Sequence, residues 1–222
     1  MKTACSAFRH RPRQYPIAQE GFIFIAIFFA FALLFLIADW LTLSGLFFFL
    51  TLFSIYFFRN PERIVSDEED LIVAPADGKV LSVTKSVNAP ETGLPMTKIS
   101  IFMSIMNVHI NRFPVSAIVK KVIYHRGKFF VASLDKASEK NERNVIILED
   151  DNKREFVMVQ IAGLIARRIV CYQREGDKLD RGERYGMIRF GSRVDLYVPD
   201  SANVLVAKGN KTVAGETILG RL

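Results

Sequence analysis

Two apolar runs stand back to back near the start of this 222-residue chain, Phe22 to Ala38 and Leu41 to Phe58, parted only by Asp39 and Trp40. No other feature constrains the fold as much. Each run is near the lower length limit for a membrane-spanning helix, about 17 residues, and most of the 19 phenylalanines lie here. Neither run has a polar face, so neither reads as an ordinary surface helix of a soluble domain. The short polar break makes them the arms of a helical hairpin, 21–58. A buried soluble hairpin and a re-entrant or monotopic one are the alternatives. A cleaved secretory signal fits less well, because a second apolar run follows at once and no small-residue cleavage site is evident.

Charge sets the expected orientation. Residues 1–20 form a basic tail with Lys2, Arg9, Arg11 and Arg13 against Glu20, and Arg59 and Arg63 follow the second run. The positive-inside rule then places both ends in the cytoplasm and the Asp39-Trp40 break at the far interface. This predicts a cell-membrane protein whose larger part is cytoplasmic. The net charge of +7 is scattered. It suits an anionic lipid surface, and no basic-aromatic motif points to nucleic acid.

From residue 59 to 222 the texture changes. An acidic linker, Ser66 to Asp70, leads into short β-branched runs: Leu71–Val73, Val80–Val83, Lys98–Phe102, Ile118–Ile123, Asn144–Leu148, Phe156–Val159 and Ile165–Tyr172. Turn signals such as Asp77-Gly78, Arg181-Gly182 and Gly209-Asn210 separate them. The pattern predicts a mainly β domain, a compact β-sandwich or barrel-like (sandwich-hybrid) fold, with one helix near Ser133 to Arg143. Cys5 and Cys171 make no disulfide framework. His10, His109 and His125 lack metal-ligand spacing, so no metal is expected.

Four segments could carry chemistry, and each has a bland reading of its own. Gly191-Ser192 lies between two apolar runs; alone it reads as a turn, since no G-x-S-x-G is present and no helix pattern follows. Ala74-Pro-Ala-Asp-Gly-Lys-Val80 alone reads as a hairpin turn. His109, in the mostly apolar stretch Phe102 to Pro114, alone reads as a satisfied core histidine. Gly127-Lys-Phe129 and Asn141-Glu-Arg-Asn144 form a polar cluster. Together Asp77, His109 and Ser192 supply the residue types of a Ser-His-Asp arrangement, in which the imidazole takes the hydroxyl proton and the acid fixes its tautomer. A membrane-anchored serine hydrolase is one alternative. The V-x-x-G-E texture within Gly209 to Ile218 leaves a second, a non-catalytic lipoyl-type carrier.

Taken in order, Ala74 to Val80, Asn107 to Ser116, Asn141 to Asn144 and Phe190-Gly-Ser192 resemble the signature blocks of phosphatidylserine decarboxylase proenzymes, most closely the short, archaeal-type form. The resemblance covers about residues 59 to 222. It implies cleavage of the chain by itself between Gly191 and Ser192, giving a β chain, 1–191, and an α chain, 192–222. Ser192 is then the precursor of a covalent pyruvoyl cofactor that forms a Schiff base with phosphatidylserine. Loss of CO₂ yields phosphatidylethanolamine, a step of phospholipid biosynthesis. Asp77, His109 and Ser192 are the implied catalytic residues and Gly191 and Ser192 the cleavage site. The implied partners are the lipid substrate, the membrane and the second chain of an α/β heterodimer, with higher oligomers left open. Longer relatives carry two histidines three residues apart, whereas this chain has His109 and then Arg112. His109 is therefore expected to serve both cleavage and decarboxylation. Arg193, which follows the serine, reads either as a ligand for the substrate phosphate or carboxylate or as a solvated surface residue.

Overall fold

Both apolar runs are helices in the computed structural model, which describes residues 15–130, 140–163, 168–189 and 191–222. Helix α1 spans Gln19–Ile37 and α2 spans Leu41–Phe57. They belong to one of two compact units, His10–Glu62; the other includes Arg63–Leu222. The break between the helices is a Schellman turn. Asp39 takes the left-handed conformation at φ 59°, its amide bonds the Leu36 carbonyl, and the Trp40 amide reaches back to Phe35 at 2.8 Å. Aspartate tolerates that conformation better than most residues, so a polar residue here ends one helix without a glycine.

The hairpin hides its polar atoms and shows its apolar ones. Thr51 and Ser54 hydroxyls donate to the carbonyls four residues earlier, and the Ser44 hydroxyl donates to Ala32 on the other helix. Phe31, Phe35 and Phe47 stack across the helix pair. Ile23, Ile37, Leu41 and Phe49 are among the many large side chains left exposed. At its open end the hairpin is clasped by Ala18 N–H to the Phe58 carbonyl and Asn60 N–H to the Pro16 carbonyl. The 18-residue window of α1 has a mean hydropathy of 2.6. Its 19 residues give a length of about 28 Å, near the hydrocarbon thickness of a bilayer. Helix α2 is two residues shorter. This exposed apolar helix suggests membrane association.

Among the described residues, the second unit has fourteen strands. They are β1 (Leu71–Val73), β2 (Gly78–Asn88), β3 (Pro95–Met103), β4 (Ile110–Arg112), β5 (Ala117–His125), β6 (Arg143–Glu149) and β7 (Glu155–Ala162), followed by β8 (Ile169–Cys171), β9 (Lys178–Leu179), β10 (Arg184–Ile188), β11 (Ser192–Pro199), β12 (Asn203–Val204), β13 (Lys211–Thr212) and β14 (Ile218–Arg221). Eight form one antiparallel sheet in the order β13-β2-β3-β11-β7-β6-β5-β9. Two three-stranded sheets accompany it, β4-β10-β8 and β1-β14-β12. The main core joins Ile101, Val194, Leu196, Met158 and Ile146 of the large sheet to Phe113, Tyr185 and Ile188 from the segments around β4 and β10. A second apolar cluster, with Val145, Val157, Val159, Ile161 and Tyr197, covers the other face.

The mainly β expectation is met, but the barrel-like variant is not realised. The large sheet stays open, ending in the two-residue strands β13 and β9. Each carries an exposed lysine, Lys211 or Lys178, which blunts an edge against further pairing. The helix expected near Ser133 to Arg143 falls mostly outside the described residues, and Arg143 opens β6. Lys79, which a carrier would present at a hairpin tip, instead lies in β2, paired with Lys211 and Phe102.

Candidate active site

Strand β11 is the middle of the large sheet's most extensively paired region, and Ser192 is its first residue. Ser192 pairs with Met103 of β3 on one side and Ala162 of β7 on the other. Alternation along the strand sends Ser192, Val194 and Leu196 into the main core and Arg193, Asp195 and Tyr197 to the opposite face. Gly191 precedes the strand at φ +68°, with nothing within 4 Å of where a Cβ would sit. Its glycine is required by backbone conformation rather than by space.

His109 reaches the same place from the segment between β3 and β4. Its Nδ1 lies 2.9 Å from the Asn107 carbonyl, which can only accept, so that nitrogen carries the proton. The lone pair of Nε2 then faces the Gly191 amide, whose N–H donates to it at 3.4 Å. His109 and Ser192 are both fully buried. The Ser192 hydroxyl donates to the Met103 sulfur at 3.4 Å. The fold thus brings His109, Gly191 and Ser192 together, with the imidazole tautomer set by a backbone carbonyl.

Asp77 is placed differently. Its Oδ1 accepts the Ala214 amide at 2.7 Å and its Oδ2 pairs with Arg63 Nη2 at 2.8 Å. These are its contacts, and His109 is not among them. The glycine after it is needed for space: a Cβ on Gly78 would lie 2.1 Å from the Phe102 carbonyl oxygen, where β2 crosses closest to β3. Arg112, at the position of the second family histidine, is buried and donates from Nη1 to the Gly182 carbonyl at 2.8 Å. Asn141 is a staple. Its amide group bonds the Phe130 backbone twice and the Ala162 carbonyl once, tying residues 127–130 to the strand end beside Ser192.

Arg193 is neither solvated nor open to a ligand. It is 2 % exposed and makes a two-pronged pair with Asp195, Nε to Oδ1 at 2.6 Å and Nη2 to Oδ2 at 2.7 Å. Alternation in β11 explains this, because positions 193 and 195 share a face. Nearby Tyr197 has its phenol pKa raised, first by burial and then by the Asp195 charge. Tyr185, fully enclosed against Phe113, is pushed well above the usual phenol value, chiefly by burial.

A buried serine thus follows a glycine of positive φ whose amide donates to an imidazole nitrogen. Residues 50–220 match the family model for phosphatidylserine decarboxylase. The phosphatidylserine decarboxylase proenzyme of Citrifermentans bemidjiense is 50% identical over 213 residues, covering 93% of this chain and 97% of its own length. That of Geotalea uraniireducens is 49% identical over 214 residues, 96% of this chain and 99% of its own. The Ruegeria pomeroyi proenzyme is 48% identical over 211 residues, 93% and 95% respectively. The chain belongs to the phosphatidylserine decarboxylase family, carboxy-lyases of phospholipid biosynthesis.

Proposed function

We propose that this protein is made as a proenzyme, cuts itself between Gly191 and Ser192, and then converts phosphatidylserine to phosphatidylethanolamine and CO₂. The observation that carries this reading is the His109 Nε2 lone pair on the amide of Gly191, the residue bonded to the buried Ser192.

The chemistry follows from those groups. Ser192 Oγ adds to the Gly191 carbonyl carbon while His109 Nε2 takes the hydroxyl proton and returns it to the departing Ser192 nitrogen. The peptide bond becomes an ester. Loss of the Ser192 α-proton expels the Gly191 carboxylate, which keeps the former Oγ, and leaves dehydroalanine. Its imine form takes up water and releases ammonia. The pyruvoyl group so formed on residue 192 supplies a carbonyl electron sink for decarboxylation of an amino acid headgroup. Residue 192 fits that role, being held at the head of a strand paired on both sides, with His109 on the amide of the residue before it. In the later reaction His109 carries the proton returned to the substrate Cα. Asp77 completes the proposed set by anchoring the Ala214 amide, which belongs to the chain beginning at residue 192.

The division into a basic tail, 1–20, an anchoring hairpin, 21–58, and a catalytic domain, 59–222, suits a lipid substrate. The hairpin would hold the enzyme at the cell membrane with the catalytic domain on the cytoplasmic side. A denaturing gel with intact mass tests the reading. Two chains are expected, with the smaller lighter than a serine-initiated 192–222 peptide by one molecule of ammonia. One intact chain from folded protein would overturn it.

A further inference from the structure

The main core contains a line of polar side chains that the mechanism above does not use. Asn144 of β6 donates from Nδ2 to Gln160 Oε1 at 3.1 Å, and Gln160 of β7 donates from Nε2 to Asn111 Oδ1 at 2.9 Å. Asn111 of β4 then has only its Nδ2 to offer, and that atom lies 3.6 Å from the Met103 sulfur. Met103 Sδ is also the acceptor for the Ser192 hydroxyl. All five residues are buried. The line crosses from the large sheet to the small one, since Asn144, Gln160 and Ser192 face the core that β4 covers.

Burying three carboxamides in an apolar core is unfavourable unless their hydrogen bonds are made. Here each bond fixes the next one's direction. With Asn144 Nδ2 on the Gln160 oxygen, the Gln160 nitrogen turns to Asn111 and the Asn111 nitrogen to the sulfur, while Asn144 Oδ1 is buried without a hydrogen-bond partner. The sequence therefore specifies where Met103, otherwise a flexible side chain, puts its thioether. That thioether is a weak acceptor, and it occupies the hydroxyl hydrogen that His109 must take.

We infer that Met103 is a brake on self-cleavage: pinned by Asn144, Gln160 and Asn111, its sulfur holds the Ser192 hydroxyl in a resting orientation and competes with His109 for its proton. Attack begins when the hydroxyl leaves sulfur and displaces the Gly191 N–H from the Nε2 lone pair. The three amides are positioning residues acting through Met103. No cofactor or further reactant enters this step, and the proton passes from Ser192 Oγ to His109 and on to the Ser192 nitrogen.

The inference rests on the proposed self-cleavage, and the two fail in different ways. Cleavage of freshly made full-length chain would be followed on denaturing gels for wild type, Met103→Leu and Met103→Gln. Removing the acceptor at nearly constant volume should speed cleavage, by about fivefold from the strength of one neutral hydrogen bond. Glutamine, a stronger oxygen acceptor of similar reach, should slow it by a similar factor. Structural damage lowers rates, so it cannot produce the fast arm. If Met103→Leu does not fold, a Met103→Gln rate equal to or above wild type still overturns the inference. Any order other than Leu, Met, Gln from fast to slow sinks it. A wild-type chain that never cuts sinks the reading beneath it instead.

Discussion

Ser192 and Arg193 are neighbours on β11, yet the two faces of the sheet treat their polar groups in opposite ways. Ser192 has a lone weak partner, a thioether at 3.4 Å. Arg193 is gripped by both oxygens of Asp195 at 2.6 and 2.7 Å. A buried charge must be paired, because an unpaired one costs several kcal/mol. A buried hydroxyl tolerates a poor partner at far smaller cost. The contrast teaches a division of labour: one face closes its charges into a pair within the strand and the ladders to β3 and β7 hold the backbone, so the other face can leave its hydroxyl on a weak acceptor. The hydroxyl can rotate without the backbone following.

Four experiments would break or sharpen that contrast. The largest effect is expected from Ser192→Ala, which should remain one uncut chain on a gel, with no decarboxylase activity, because the hydroxyl is both nucleophile and cofactor source. Next, His109→Ala should slow cleavage by about 10²-fold or more, the usual contribution of a positioned general base; a wild-type rate would remove His109 from the mechanism. On the opposite face, Arg193→Met in an uncut Ser192→Ala background should lower unfolding free energy by about 3–5 kcal/mol, since it strands the Asp195 charge. Adding Asp195→Leu should recover most of the loss in urea titrations. If the double variant is no better than the single, the pair is not the clamp. The smallest effect concerns Asp200, whose carboxyl is held below its ordinary value of 3.8 by hydrogen bonds from Thr97 and then Ser86. A depressed folded-state pKa stabilises above the ordinary range and is lost as pH falls through the folded value. Asp200→Asn should therefore lower the melting midpoint slightly near neutral pH, and that difference should vanish in strong acid.

Much of this was legible in the residues. Unbroken apolar run length placed both helices within a few residues, and the β-branched runs marked β1, β2, β3, β5, β6 and β7. Strands β9, β12 and β13 escaped because two residues carry no alternation. The position of His109 beside Gly191-Ser192 could not be read from spacing, since it depends on β3, β4 and β11 meeting in three dimensions. Arg193 was legible in principle: with Ser192 and Val194 facing one core, an Arg-x-Asp in a fully apolar strand puts both charges on a single buried face. The same holds for Gln160 within Phe156 to Ala162 and for Asn144 before an apolar run. A polar residue on the inward face of such a strand is a signal in itself. The contacts of Asp77 with Arg63 and Ala214 were not legible, because no local pattern links those positions.

The central position of β11 has a consequence if the chain is cut before Ser192, as proposed. Its backbone pairs with β3 along eight residues and with β7 along six, and β14, from the same C-terminal stretch, pairs with β1. A break before Ser192 leaves the product chains threaded through one another, so neither can depart while the sheet survives. Before the cut, unfolding and refolding involve one molecule. Afterwards they involve two, and recovery depends on the concentration of a 31-residue peptide (222 − 191) that must find the middle of a sheet. Dilute denaturation then becomes effectively one-way. The mature enzyme would owe its persistence to a slow escape from the folded state.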